Sequence, residues 1–166
     1  IYRMNYRDSF DNPLEAEHII NSGAIAGASL PVGLSLINDC GNWKGIMASI
    51  GNHKVQILDF GNSILNNPTV QDEYLFEGVQ KPYRISVVRE QSSYYAIVAN
   101  QLLPFSIINF GNLEGDTPHL IDNLDFPQLN DFEIIKVSGQ KVVYGISRRS
   151  SFVVKNTFAA DCGQNI

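Results

Sequence analysis

Residues 53–70, HKVQILDFGNSILNNPTV, decide the fold, because the chain writes them a second time at 104–120 as PFSIINFGNLEGDTPHL. Phe60-Gly61-Asn62 returns as Phe110-Gly111-Asn112 and Pro68 as Pro118, all shifted by 50. Upstream, PVGLSLIND (31–39) matches PYRISVVRE from Pro82, and NWKGIMAS (42–49) matches SYYAIVAN (93–100), both shifted by 51. A period of this size marks a repeat architecture and outranks any local assignment. A third, looser copy follows in the same order: FEIIKV from Phe132, VVYGIS from Val142 and SFVVKNTF from Ser151. Ahead of the first full unit, IYRMNYRDSFDNPLEAE aligns with HKVQILDFGNSILNNPTV, with Asn5-Tyr6 where Asp59-Phe60 stands, so the chain is expected to begin inside a unit.

Each unit reads as β structure. Runs of Ile, Val, Tyr and Phe five to eight residues long alternate with clusters such as NDCGN, SIGNH and NLEGDTP, the punctuation of strands and tight turns. The first full unit predicts strands at 32–38, 44–50, 54–60 and 68–75. A short helical turn within NPLEAEHIINSGAIAG is the competing local reading, carried by Glu15, Ala16 and Glu17. Four antiparallel strands in about 50 residues, repeated, fit a β-propeller blade. The expected fold is therefore all-β, about three four-stranded blades of a larger propeller forming an open arc. Its parts are a half blade at 1–22, blades at 31–79 and 82–123, an incomplete blade at 130–158 and a tail at 159–166. One such sheet cannot bury its two faces alone, so each blade needs a neighbour on both sides. The inner strands GLSLI, RISVV and IMASI are expected to be apolar on both faces, with Gly45, Ala48, Ala96 and Ala99 at close approaches. Trp43, Tyr94, Phe60 and Phe110 should fill equivalent places between sheets, and open faces at the two ends call for cover from the rest of the polypeptide or a partner chain.

The residues also carry a resemblance. Asp39-Cys40-Gly41-Asn42-Trp43 and Leu58-Asp59-Phe60-Gly61-Asn62-Ser63 resemble the propeller repeat of large secreted and surface proteins of Bacteroidota. The likeness is close over 38–70, looser over 82–120, where Tyr94 replaces the Trp and Asn109 the Asp, and looser again over 130–158. In that family such propellers precede PKD-like domains and the C-terminal domains of gliding motility or type IX secretion. The resemblance implies an extracellular, non-catalytic segment that mediates protein binding, glycan binding or adhesion.

Composition narrows the remaining classes. With 12 basic and 17 acidic side chains the net charge is -5, and the basic footprint of a nucleic-acid binder is missing. Apolar stretches are broken well short of the roughly 20 residues that a helical membrane span requires. Cys40 and Cys162 lack zinc-site spacing and stand either as separate thiols or as one pair. His18, His53 and His119 fall singly in different units, so no metal or cofactor is expected. The acidic stretch 122–131 lacks the alternation of a calcium loop, and Arg148-Arg149 reads as a hairpin tip.

Two placements bear on chemistry. Asp59 and Asn109, with Asn5, precede the repeated aromatic, and a group written into every copy suits a structural turn cap contributing about 1 kcal/mol. Asp39 and Glu90 occupy matching ends of the first strands, and paired carboxylates are what glycoside cleavage uses. The third copy has Val137 there, which favours ordinary turn chemistry. The sequence thus points to a non-enzymatic binding or display module, with a polysaccharide hydrolase or lyase using Asp39 and Glu90 as the alternative.

Overall fold

The computed structural model describes residues 1–4, 19–21, 23–123, 131–137, 140–146 and 153–158. Asn5-Tyr6, His18, most of the stretch 122–131, Arg148-Arg149, Cys162 and the tail 159–166 lie outside them. The described chain is all-β and antiparallel, and no helix occurs among its residues.

Strands β1 (Tyr2–Met4) and β2 (Ile19–Asn21) pair with each other. Part of the helical alternative is thereby corrected: Ile19–Asn21 is extended, as two β-branched residues favour. The first full sheet runs β3 (Pro31–Asp39), β4 (Asn42–Ser49), β5 (Lys54–Gly61) and β6 (Thr69–Leu75) in sequence order. The second repeats it with β7 (Pro82–Glu90), β8 (Ser93–Asn100), β9 (Ser106–Gly111) and β10 (His119–Asn123). The third holds β11 (Asp131–Val137), β12 (Gln140–Ile146) and β13 (Val153–Phe158). Within the two full sheets, consecutive strands are antiparallel neighbours joined by connections of two to seven residues.

The repeat extends to the irregularities. The β3–β4 ladder slips between Pro31 and Gly33, and the β7–β8 ladder between Pro82 and Arg84, 51 residues on. Slips after Trp43 and after Tyr94 match in the same way. Gln71 is passed over in the β5–β6 pairing and Ile121 in the β9–β10 pairing, 50 residues apart. Bulges re-aim strands and raise local twist, so a bulge kept in both copies means that both sheets are bent alike. The turn chemistry is kept as well: Gly61 N–H donates to Asp59 Oδ1 at 2.7 Å and Gly111 N–H to Asn109 Oδ1 at 2.8 Å. Those glycines sit at φ 66° and 59°, where a Cβ is disfavoured. At the first-strand hairpins, Cys40 and Gln91 take φ 51° and 53°.

Side-chain alternation sends each sheet's two faces to different neighbours. Ile37, Ile46, Ala48, Val55 and Ile57 of the first sheet meet Ile85, Tyr94, Ala96, Val98 and Phe110 of the second in one buried cluster. The opposite face of the second sheet, with Ile97, Ala99 and Ile107, packs on Phe132 and Val143 of the third. Met47, Leu58 and Phe60 face the other way, toward Ile1, Ile25 and Ala28. Ala48, Ala96 and Ala99 are fully buried, as expected for close sheet contacts. Tyr94, Phe60 and Phe110 are buried too, each against the preceding unit, whereas Trp43 is half-buried.

The first strands β3 and β7 lie side by side. Val87 N–H donates to Ser35 Oγ at 3.0 Å, and a Cβ on Gly33 would stand 3.0 Å from Ile85 N. β3 is not covered on both faces, since Val32, Leu34 and Leu36 are 48%, 38% and 47% exposed. Among the described residues only its Gly33–Ser35–Ile37 face meets a neighbouring four-stranded sheet, and the strands ahead of it, β1 and β2, form a two-stranded pair.

Candidate functional site

Polar groups gather at the hairpin end of the seam between the first and second sheets. Asp39 ends β3, and alternation places it on the face of Ile37, toward the second sheet. Arg89 of β7 lies on the face of Ile85 and Val87, and its Nη1 stands 3.4 Å from Asp39 Oδ1. The guanidinium also lies over the Tyr94 ring, 5.3 Å from its centroid. Arg89 Nε donates to the carbonyl of Gln91 at 3.1 Å, which ties it to its own hairpin. Leu36, Asn38, Cys40, Val87, Arg89 and Tyr94 line an open cleft of about 320 Å3.

Tyr94 is the most perturbed group at this site. Burial of its ring first, and then the adjacent Asp39 carboxylate, push its pKa up to about 12; Arg89 opposes this in part. The hydroxyl is buried, with the Asp39 carboxylate as its negatively charged neighbour. The cleft therefore offers a cation shared with one carboxylate, between apolar walls and the edge of the buried Tyr94 ring. Such a surface can hold a small polar or anionic group of a ligand. It does not supply the two separately tuned carboxyl groups of a glycosidase.

Glu90 falls elsewhere. As the strand neighbour of Arg89 it points to the opposite face of β7, toward the third sheet, and its Oε1 is buried without a hydrogen-bond partner among the described residues. The equivalence of the three hairpin ends holds, because Asp39 pairs with Asn42, Glu90 with Ser93 and Val137 with Gln140. Equivalent places in successive units put the two acids in different seams rather than across one substrate.

The other candidates resolve into packing. Asp59 caps its turn and also stands 3.6 Å from Lys44 Nζ, a cation whose side chain is 7% exposed. Lys44 donates to Gln71 Oε1 at 2.7 Å, and Gln71 in turn donates to the Leu113 carbonyl in the turn between β9 and β10 at 3.1 Å. His53 Nδ1 accepts the Lys81 N–H at 2.9 Å, and His119 is exposed on β10. Among the described residues no three His, Cys, Asp or Glu side chains converge as metal ligands, and Cys40 is an exposed thiol.

Sequence reading missed Arg89 as the partner of Asp39, the buried cation Lys44 and the link from Arg84 to Asp131 at 2.8 Å across the second seam. A signal existed for the first. Arg89 and Asp39 both sit in the last two places of a first strand, and stacked sheets bring such places together. No protein-family model and no curated protein matches the chain.

Proposed function

We propose that the chain is a non-enzymatic extracellular binding and display module, a run of β-propeller blades within a large secreted or cell-surface protein of the Bacteroidota kind it resembles. Support for the blade reading comes from three meander sheets stacked in chain order, with β3 beside β7 and every bulge of one full unit kept in the next. Its partners are then the other parts of the polypeptide or of a surface assembly, together with a protein or glycan ligand.

The observation that carries the non-enzymatic reading is the separation of the acids. Asp39 is occupied by Arg89 in one seam, while Glu90 faces the next seam from the other side of β7. A glycoside hydrolase of the two-carboxylate kind needs both at one bond. The seam cleft with Arg89 and Tyr94 is instead the natural ligand-facing spot. Screening the immobilised chain against glycan and surface-protein libraries tests this, with Arg89→Ala expected to weaken a ligand held there. Polysaccharide cleavage by the purified chain, abolished by Asp39→Ala or Glu90→Ala, would reverse the conclusion.

A further inference from the structure

The connection from β6 to β7, residues 76–81, carries the chain from the edge strand of the first sheet to the first strand of the second. Carbonyls hold it to the second sheet. Gly78 O accepts from Ser106 Oγ at 2.7 Å, and Lys81 O accepts from the Gln101 N–H at 3.1 Å. Toward the first sheet the polar link is of another kind, for the Lys81 N–H donates to His53 Nδ1 at 2.9 Å. Lys81 thus bridges the two sheets, its carbonyl tied to one and its N–H to the other.

The two halves of this bridge are written differently. The carbonyl half is repeated: 51 residues earlier Leu30 O accepts the Ile50 N–H at 3.1 Å, and Leu30 and Lys81 share φ 49°. The histidine half is not. Fifty residues after His53 stands Leu103, whose side chain has no hydrogen-bonding atom. A group kept in both full units suits a structural task, whereas this one is particular to the first seam. His53 is half-buried and held at φ 58°, a backbone region that histidine enters more readily than most residues.

The bond fixes the state of the ring. A backbone N–H can only donate, so Nδ1 carries the lone pair and the ring is neutral, with its proton on Nε2. An imidazolium has an N–H on both nitrogens, which would set one donor against another and leave the Lys81 N–H without its partner. The charged groups on the elements around it are Lys54 and Glu73 of the first sheet, paired with each other, and Glu77 and Lys81 of the connection, one of each sign. The segments 26–29 and 101–105 beside the hairpin carry no charge. The ring's own protonation is therefore the change that decides the bond.

We propose that His53 is a proton-operated clasp on the first seam: neutral, it holds the start of β7 to the β4–β5 hairpin, and protonated, it lets the 76–81 connection go. Its direction follows from the bond. The closed form needs the neutral ring, so the clasp is complete at the alkaline end of the range in which histidine changes charge and opens as pH falls through that range. Ile85 and Val87 keep β7 packed on the first sheet, so the opening is local. The clasp goes beyond the binding-module reading and does not depend on it.

The test is amide hydrogen exchange of the intact, isotope-labelled chain, followed by NMR between about pH 8 and pH 5 and corrected for the intrinsic pH dependence of exchange. Protection of the Lys81 amide should fall about fivefold or more across that range, as loss of one hydrogen bond allows. The Ile50 amide, bonded to Leu30 in the repeated half, should keep its protection. His53→Asn is the matched variant, because its Oδ1 can stand where Nδ1 stands and does not titrate, and asparagine accepts positive φ. Its Lys81 amide should stay protected over the whole range. Constant protection of Lys81 in the parent would overturn the proposal, and that measurement needs no variant to fold. An equal fall in His53→Asn would overturn it too, by assigning the change to another group, and so would a parallel loss at Ile50, which would mark global acid unfolding.

Discussion

Replacing Gly33 by Ala tests the seam where β3 approaches β7. The new Cβ would stand 3.0 Å from Ile85 N, 3.2 Å from Ile85 Cγ2 and 3.3 Å from Arg84 Cα. Two of these atoms are backbone of the neighbouring sheet and cannot swing aside, so the two first strands must separate by a few tenths of an ångström. Overpacking of a tight core costs about 1–3 kcal/mol. Against that, Gly→Ala restricts the unfolded chain and returns about 0.4–1 kcal/mol. The expected net loss is about 1–2 kcal/mol. Gly45→Ala is the control inside the same sheet. Its Cβ would meet Leu34 Cδ1 at 3.0 Å, Phe60 Cε2 at 3.2 Å and Leu36 Cδ2 at 3.5 Å. The two leucines are partly exposed and free to move at their tips, and the matching residue of the second sheet is already Ala96. Gly45→Ala should therefore stay within about 0.5 kcal/mol of the parent. Urea unfolding of both variants, read as a shift of midpoint at constant slope, measures the difference. A Gly33→Ala protein as stable as the parent, or more stable than Gly45→Ala, would refute the close approach of β3 to β7.

Other expectations follow from the same geometry. Phe110→Ala, which empties a fully buried site between the first two sheets, should cost about 3–5 kcal/mol by urea unfolding, and Phe60→Ala a similar amount. Asp59→Ala should cost more than the roughly 1 kcal/mol of a lost turn bond, because Lys44 would keep its buried charge with Gln71 alone. A double-mutant cycle with Lys44→Met should recover much of that loss; strict additivity would contradict the pairing. The raised pKa of Tyr94 means that the folded state holds its proton more tightly than the unfolded chain does. Its contribution is complete below pH 10 and is lost as pH rises through about 12. Tyr74 is raised for the same first reason, burial, with the charge of Asp72 second, and adds in the same direction. Alkaline unfolding of Tyr94→Phe should accordingly show a shallower loss over that range than the parent.

Much of the fold was legible because the chain repeats itself. Strands expected at 32–38, 44–50, 54–60 and 68–75 appear at Pro31–Asp39, Asn42–Ser49, Lys54–Gly61 and Thr69–Leu75. Period-two alternation and Gly/Asn turns are local properties, so sequence exposes them without knowledge of distant contacts. The repeat also explains why Asp59 and Asn109 cap turns, since a group kept at one place in both full units suits a structural task. The placement of the acids was not legible. Asp39 and Glu90 look like a pair in sequence, but equivalent positions in stacked sheets point into successive seams, and that follows from stacking alone.

The sequence alone was enough to show that the described chain is β, to place the strands of the first full unit to within about two residues, and to pair residues at equivalent places in the two full units. Those are consequences of backbone preference and side-chain period, which act over a few residues. Tertiary structure decided what each face meets. It set Asp39 against Arg89, buried Lys44 beside Asp59, and left Leu34 and Leu36 exposed where Ile85 and Val87 are covered. The physical reason is that burial, ion pairing and a shifted pKa depend on atoms brought together from 15 residues away for Lys44 and Asp59 and 50 for Asp39 and Arg89, and similar local signals acquire different surroundings according to which sheet stands in front of them.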